Sequence, residues 1–180
     1  MKCLVDMDGL LTDFVSAACK LHKKPFSSVT DSRMDITWRM STDEFWEPIF
    51  ADGVSFWEGL NPYSWTTELV ALLVDKFRLS DDHCWTICTS PTQQPECKTG
   101  KLAWLKKHNI KPPIPPLFKK DKARYATRDT ILIDDTERVI DQFIIAGGIG
   151  ILFPAPWNRY GGFSSDPVAW VRESLDMIGY

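Results

Sequence analysis

The stretch LVDMDGLLTDF, residues 4–14, places two aspartates, Asp6 and Asp8, at the end of a short apolar run with Gly9 straight after the second. An apolar, β-prone run that closes on polar residues reads as a strand whose carboxyl end carries chemistry. KCLVDM (2–7), CWTICTS (84–90) and TILIDD (130–135) share that form, and GIGILF (148–153) is a fourth candidate. Amphipathic helical patterns lie between these runs. In TTELVALLVDKF the apolar Leu69, Leu72, Leu73 and Phe77 recur at helical spacing. In TERVIDQFIIAGG, Val139, Ile140, Phe143 and Ile144 do the same before Gly147 and Gly148 stop the helix. Alternation of this kind predicts parallel βαβ units, hence an α/β fold with a parallel sheet.

Residues 14–66 break the rhythm. They contain no convincing strand and carry Trp38, Phe45, Trp46, Phe50, Phe56, Trp57 and Trp65, while STDE at 41–44 has the form of a helix capping box. The segment reads as a helical insertion after the first strand, so that 1–13 and 67–180 form the core. KPPIPPLF (111–118) cannot be helix and reads as a semi-rigid connection.

Composition narrows the function classes. The 180 residues are 44% hydrophobic and 25% charged, which is globular rather than disordered. Lys plus Arg number 21 against 24 Asp plus Glu, for a net charge of -3. The longest basic runs are pairs, so neither a polymeric nucleic acid nor a membrane surface is expected as partner. The chain reaches LVDMDG too early for a charged leader and apolar segment, and its most apolar stretch, FIIAGGIGILF, is eleven residues long with glycine interruptions. A soluble cytoplasmic protein is expected, with a homodimer left open. The five cysteines are odd in number and lack a C-x-x-C pair, so they read as reduced structural thiols. His22, His83 and His108 are scattered, with no Ser or Cys partner in view, and read as surface residues.

In an open parallel sheet, ligands bind at the carboxyl ends of the strands. Asp6 with Asp8, Thr89 with Ser90, and Asp134 with Asp135 all fall at such ends. Side chains alternate along a strand, so Asp6 and Asp8 point the same way, and Gly9 lets the backbone turn beside them. Four gathered carboxylates repel one another. A hard cation such as Mg2+ removes the conflict.

These residues carry a resemblance. DMDGLLTD resembles the first motif of the haloacid dehalogenase superfamily of phosphatases, D-x-D-G-x-x-x-D, and ICTSP and LIDD stand where its second and fourth motifs belong. The combination, with a helical insertion after the first motif, is most similar to the 5′(3′)-deoxyribonucleotidase family. That resemblance implies a Rossmann-like core with a small inserted cap, and a Mg2+-dependent phosphatase acting on nucleoside monophosphates through an aspartyl-phosphate.

By the same resemblance Asp6 is the nucleophile and Asp8 the general acid and base, whose backbone carbonyl also binds the metal. Thr89 and Ser90 hold phosphate oxygens, and Asp134 and Asp135 complete the metal site. FKKDKARYA makes Lys122 the lysine of the third motif, with Lys120 as the alternative, and Lys101 in KLAWLKKH matches a second lysine near the phosphate. Lys101 reads equally well as a solvated surface residue. Phe14, Trp38, Trp46 and Phe56 match the cap's base-binding aromatics, for which packing in the cap's own core is the competing reading. PAPWNRYGG resembles a motif of bacterial members, without an assigned role. Thr136 stands where some relatives carry a basic residue. Another small phosphate ester, a polynucleotide 3′ phosphate and a catalytically silent nucleotide-binding module remain the alternatives.

Overall fold

The computed structural model describes residues 2–77 and 84–180. The β-prone runs form strands β1 (Lys2–Val5), β2 (Cys84–Thr89), β4 (Thr130–Asp134) and β5 (Ile149–Leu152). A two-residue strand, β3 (Leu117–Phe118), completes a five-stranded sheet of order β3-β2-β1-β4-β5, with every pairing parallel. Parallel strands are covered on both faces. Accordingly every residue of β2 and β4 is buried. β3 corrects the reading of 111–118 as connection alone: past the prolines, Leu117 and Phe118 pair with Cys88 and Thr89 at the sheet edge.

The helices are α1 (Phe14–Leu21), α2 (Met34–Thr37), α3 (Thr42–Asp52), α4 (Val54–Glu58), α5 (Thr66–Lys76), α6 (Pro95–Lys107), α7 (Glu137–Ile145) and α8 (Pro167–Met177). α5 buries Leu69, Leu72 and Leu73, and Phe77 is buried just beyond its end. α7 buries Ile140 and Phe143, whereas Ile144 lies against Gly150 yet stays exposed. The backbone turns out of α7 at Gly147, whose φ of 92° suits glycine.

Residues 14–66 hold α1 to α4 and part of none of the five strands. The capping box at α3 is complete: Ser41 Oγ accepts from the Glu44 amide, and Glu44 accepts from the Ser41 amide. The return to the core is tied to the loop after β1. Trp65 Nε1 donates to Leu10 O at 2.9 Å and Thr66 Oγ1 to Leu11 O at 2.9 Å.

α6 carries the second attachment. It buries Cys97, Gly100, Lys101, Trp104 and Leu105 on one stripe, and Trp104 Nε1 donates to Leu60 O at 2.7 Å. At Gly100 the backbones of α6 and α4 nearly touch. A Cβ there would lie 2.5 Å from Trp57 Cβ and 2.8 Å from Val54 O. All five cysteines are buried free thiols. Among the described residues no helix is long and apolar enough to cross a membrane.

Gly100 yields a test of this packing. In an open helix, Gly→Ala gains about 1 kcal/mol. Here the added methyl meets α4 backbone, and separating the helices should cost about 1–3 kcal/mol. Urea denaturation of Gly100→Ala should therefore give a lower unfolding free energy than wild type; a gain would mean that the two helices are not in contact there.

Candidate active site

β1 delivers the first carboxylate. The Asp6 amide donates to Ile133 O at 2.9 Å, which continues the β1–β4 ladder and fixes Asp6 beside the end of β4. The chain then turns within Met7 to Thr12: Leu11 and Thr12 amides both donate to Met7 O, and Gly9 donates to Thr12 O. Gly9 has φ 83°, and a Cβ on it would stand 2.4 Å from Asp135 Oδ2. Glycine is required there by conformation and by contact.

β4 delivers the other two. One carboxylate oxygen each from Asp6, Asp134 and Asp135 lie within 4.8 Å of one another. Lys122, in a short 3-10 turn after β3, is buried between them, with Nζ 2.6 Å from Asp134 Oδ2 and 2.9 Å from Asp6 Oδ1. The contact to Asp6 is an ion pair without hydrogen-bond alignment, so Asp6 Oδ1 is buried and receives no hydrogen bond. Asp134 Oδ1 accepts from the Thr136 amide at 2.9 Å, and Asp135 Oδ2 from Trp157 Nε1 at 2.7 Å. Asn158 Nδ2 donates to Asp135 O and Phe153 O, both at 2.8 Å.

The electrostatics are unbalanced. Burial raises the Asp135 carboxyl well above the usual carboxylate range, and the charges of Asp134 and Asp6 raise it further. Burial likewise raises Asp134, with Lys122 opposing. Burial alone would discharge Lys122, but Asp134 and Asp6 outweigh it and keep the ammonium charged. One buried cation among three carboxylates leaves excess negative charge. Oxygen donors this close, one of them without a hydrogen bond, suit a hard divalent cation.

A cavity of about 560 Å³ opens above this cluster. Asp6, Asp8, Gly9 and Asp135 line its floor, and Phe14, Phe45, Trp46, Phe50 and Trp57 line one side. Phe14 stacks on Trp57 at 5.7 Å between centroids, and Trp46 stacks on Phe50 at 5.8 Å. A neighbouring groove of about 720 Å³ shares Asp135 and Trp157 but is not lined by Asp6 or Asp8. Two of its arginines are already paired, Arg33 with Asp35 and Arg159 with Glu137.

Most of the residues singled out in the sequence converge here, and several do so differently from expectation. Lys122, not exposed Lys120, meets the carboxylates. Asp8 faces the cavity, but its carboxylate is outside the trio, bound instead by Thr12 Oγ1 at 2.9 Å and Lys101 Nζ at 2.7 Å. Lys101 is no solvated residue: it is fully buried and off the cavity wall. Ser90 lines the cavity, while the hydroxyl of buried Thr89 accepts from Lys101.

Phe14 and Trp46 line the cavity, whereas Trp38 and Phe56 do not. Trp38 packs on His22 and Phe45 with Nε1 donating to Ser28, and Phe56 packs edge-on against Phe14 and Trp57. Both fill the interior behind the wall. His22 and His108 are half-buried packing residues rather than surface ones: His22 stacks on Phe45, and His108 lies against Trp104. His83 lies outside the described residues. The sequence gives Trp57, Phe50, Trp157 and Asn158 no role in the site. A signal for the last two existed in PAPWNRYGG, but nothing local points it at Asp135.

The family described as "5′ nucleotidase, deoxy (pyrimidine), cytosolic type C protein" matches residues 1–179. Comparison with curated protein sequences returned no match. Among solved structures, the chain is similar to a hydrolase from Pseudomonas syringae at 16% identity and TM-score 0.59, covering 99% of this chain and 98% of that one. It is also similar to a HAD family hydrolase from Deinococcus radiodurans R1 with bound phosphate and sodium, at 11% identity and TM-score 0.58, covering 99% and 96%. A third is the L-2-haloacid dehalogenase from Xanthobacter autotrophicus, at 12% identity and TM-score 0.53, covering 89% and 79%. At these identities the likeness establishes the fold.

The raised Asp135 carboxyl has a thermodynamic consequence in metal-free protein. A folded-state pKa above the unfolded one means that the native state holds the proton longer. Its contribution to stability is present at low pH and is lost as pH rises from the usual carboxylate value, about 4, through the raised one. Asp135→Asn carries no such charge. In chelator, its unfolding free energy relative to wild type should increase from pH 5 to neutrality, measured by urea denaturation; a constant difference would mean that the carboxyl is not held up by its neighbours.

Proposed function

Because the chain belongs to the 5′ nucleotidase, deoxy (pyrimidine), cytosolic type C protein family, and so to the phosphoric monoester hydrolases, we propose that it hydrolyses (deoxy)ribonucleoside monophosphates with Mg2+. The observation that carries this reading is the pairing of the Asp6–Asp134–Asp135 cluster with an aromatic-walled cavity directly above it. The cluster suits a phosphoryl group and the wall suits a base.

Asp6 is the nucleophile. Its carboxylate attacks phosphorus, a bond forms to Asp6, and the ester P–O bond breaks with its electron pair going to the sugar oxygen. Asp8 gives that oxygen a proton, and the nucleoside leaves. Water then attacks the aspartyl-phosphate and passes a proton to Asp8, which frees phosphate and restores Asp6. Lys122 holds Asp6 and Asp134 from beneath and offsets part of their charge as the anionic ester approaches. Asp6, Asp134 and Asp135 would hold Mg2+, which when bound neutralises charge between an anionic nucleophile and an anionic ester.

Residues 14–66 act as the cap. A site that recognises phosphate alone would hydrolyse many esters, so selectivity comes from groups that touch the rest of the substrate. Trp46 and Phe14, both half-buried, are the rings available for stacking in the cavity, with fully buried Trp57 packed behind Phe14. The cavity's finite volume favours a monomeric nucleotide over a polymer end.

Phosphate release from a panel of nucleoside monophosphates, with p-nitrophenyl phosphate as baseless control, tests the reading. Activity should need Mg2+ and vanish in chelator. Asp6→Asn should lower kcat by at least about a thousand-fold in a folded protein. Trp46→Ala should remove stacking of about 1–3 kcal/mol, lowering kcat/KM for deoxynucleotides about ten- to a hundred-fold and changing the control much less. Turnover by Asp6→Asn, or equal losses on both substrates for Trp46→Ala, would contradict the nucleophile and the base wall respectively.

A further inference from the structure

Lys101 is charged, fully buried and absent from the cavity wall. It sits on the buried stripe of α6 with Cys97, Gly100, Trp104 and Leu105, a place where an apolar side chain would pack at less cost. A lysine ammonium has three donors. All three have acceptors within the protein: Asp8 Oδ2 at 2.7 Å, Thr89 Oγ1 at 2.7 Å and Ser90 O at 3.3 Å. The ring of Trp57 lies alongside, its centroid 5.1 Å from Nζ. No donor is left for a phosphate oxygen.

Asp8 is held from two sides as a result. Lys101 binds Oδ2, and the hydroxyl of Thr12, itself fully buried, binds Oδ1 at 2.9 Å. Both carboxylate oxygens are thereby fixed, and the plane of the group with them. A general acid is effective only within hydrogen-bond reach and in line with the oxygen it protonates. Thr12 and Lys101 come from different parts of the chain, one from the turn after β1 and one from α6, so the orientation of Asp8 depends on the docking of α6 against that turn.

We propose that Lys101 is a positioning residue: it orients Asp8 for proton transfer to the leaving oxygen and does not itself bind phosphate. The inference rests on the reading of Asp8 as general acid. Lys101 differs in this from Lys122, which reaches Asp6 and Asp134.

Leaving-group dependence separates positioning from phosphate binding. A sugar alkoxide needs a proton to depart, whereas p-nitrophenolate departs without one, and kcat/KM reports the steps through phosphoryl transfer to Asp6. For Lys101→Met, kcat/KM on dTMP should fall about 100-fold. On p-nitrophenyl phosphate it should change by less than about five-fold, and the Ki of inorganic phosphate by less than about three-fold. Thr12→Val, which removes the other anchor of Asp8, should give the same pattern, and Lys101→Gln repeats the measurement if Lys101→Met does not fold. Equal losses on both substrates, or a Ki for phosphate raised about ten-fold or more, would overturn the inference while leaving the phosphatase reading intact. Wild-type protein inactive on both substrates would overturn the two together.

Discussion

Three carboxylates, Asp6, Asp134 and Asp135, meet at the carboxyl edge of the sheet around a single buried ammonium, that of Lys122. Isolated buried charge is among the costliest things a fold can contain. The surrounding structure reads as a set of responses to it. Parallel pairing of β1 with β4 sets Asp6 beside Asp134 at the point where the chain leaves β1 in one direction and returns on the other side. Lys122 neutralises part of the charge. The remainder suits a divalent cation, the kind that phosphatases of the haloacid dehalogenase superfamily use.

The supports of this cluster come from distant parts of the sequence. Trp157 and Asn158, after β5, hold the side chain and backbone of Asp135. Gly9, after β1, leaves the space that Asp135 occupies. Thr12 and Lys101 hold Asp8. The segment 14–66 is anchored at both the turn after β1 and α6, through Trp65, Thr66 and Trp104, so its aromatic side stands over the carboxylates. The same contacts that stabilise the fold therefore set the relation between the carboxylates and the aromatic wall above them.

What could be read from the sequence follows from the range of each signal. A buried parallel strand is a short apolar run, and the polar pair that ends it lies at the sheet edge by geometry, so β1, β2, β4 and the polar pairs at their ends were legible. β3 was not, because two residues behind four prolines give no period. Lys122 and Lys120 differ by a short 3-10 turn that no pattern encodes. The aromatics of 14–66 announced a cavity or a core, and which side each ring takes is settled by packing: Trp46 lines the cavity and Trp38 the interior. Lys101 was legible in part. Its spacing from Cys97, Trp104 and Leu105 puts a charge on an apolar stripe, which is a mark of a buried partner.

If the carboxylate cluster is completed by a divalent cation, calorimetric titration of chelator-stripped protein with Mg2+ reads it out without reference to any substrate. Saturable binding of one Mg2+ per chain at millimolar concentration or below is expected, with a rise in Tm on binding and at least tenfold weaker binding in Asp134→Asn. Absence of saturable Mg2+ binding by folded wild-type protein, with Tm unchanged, would contradict it.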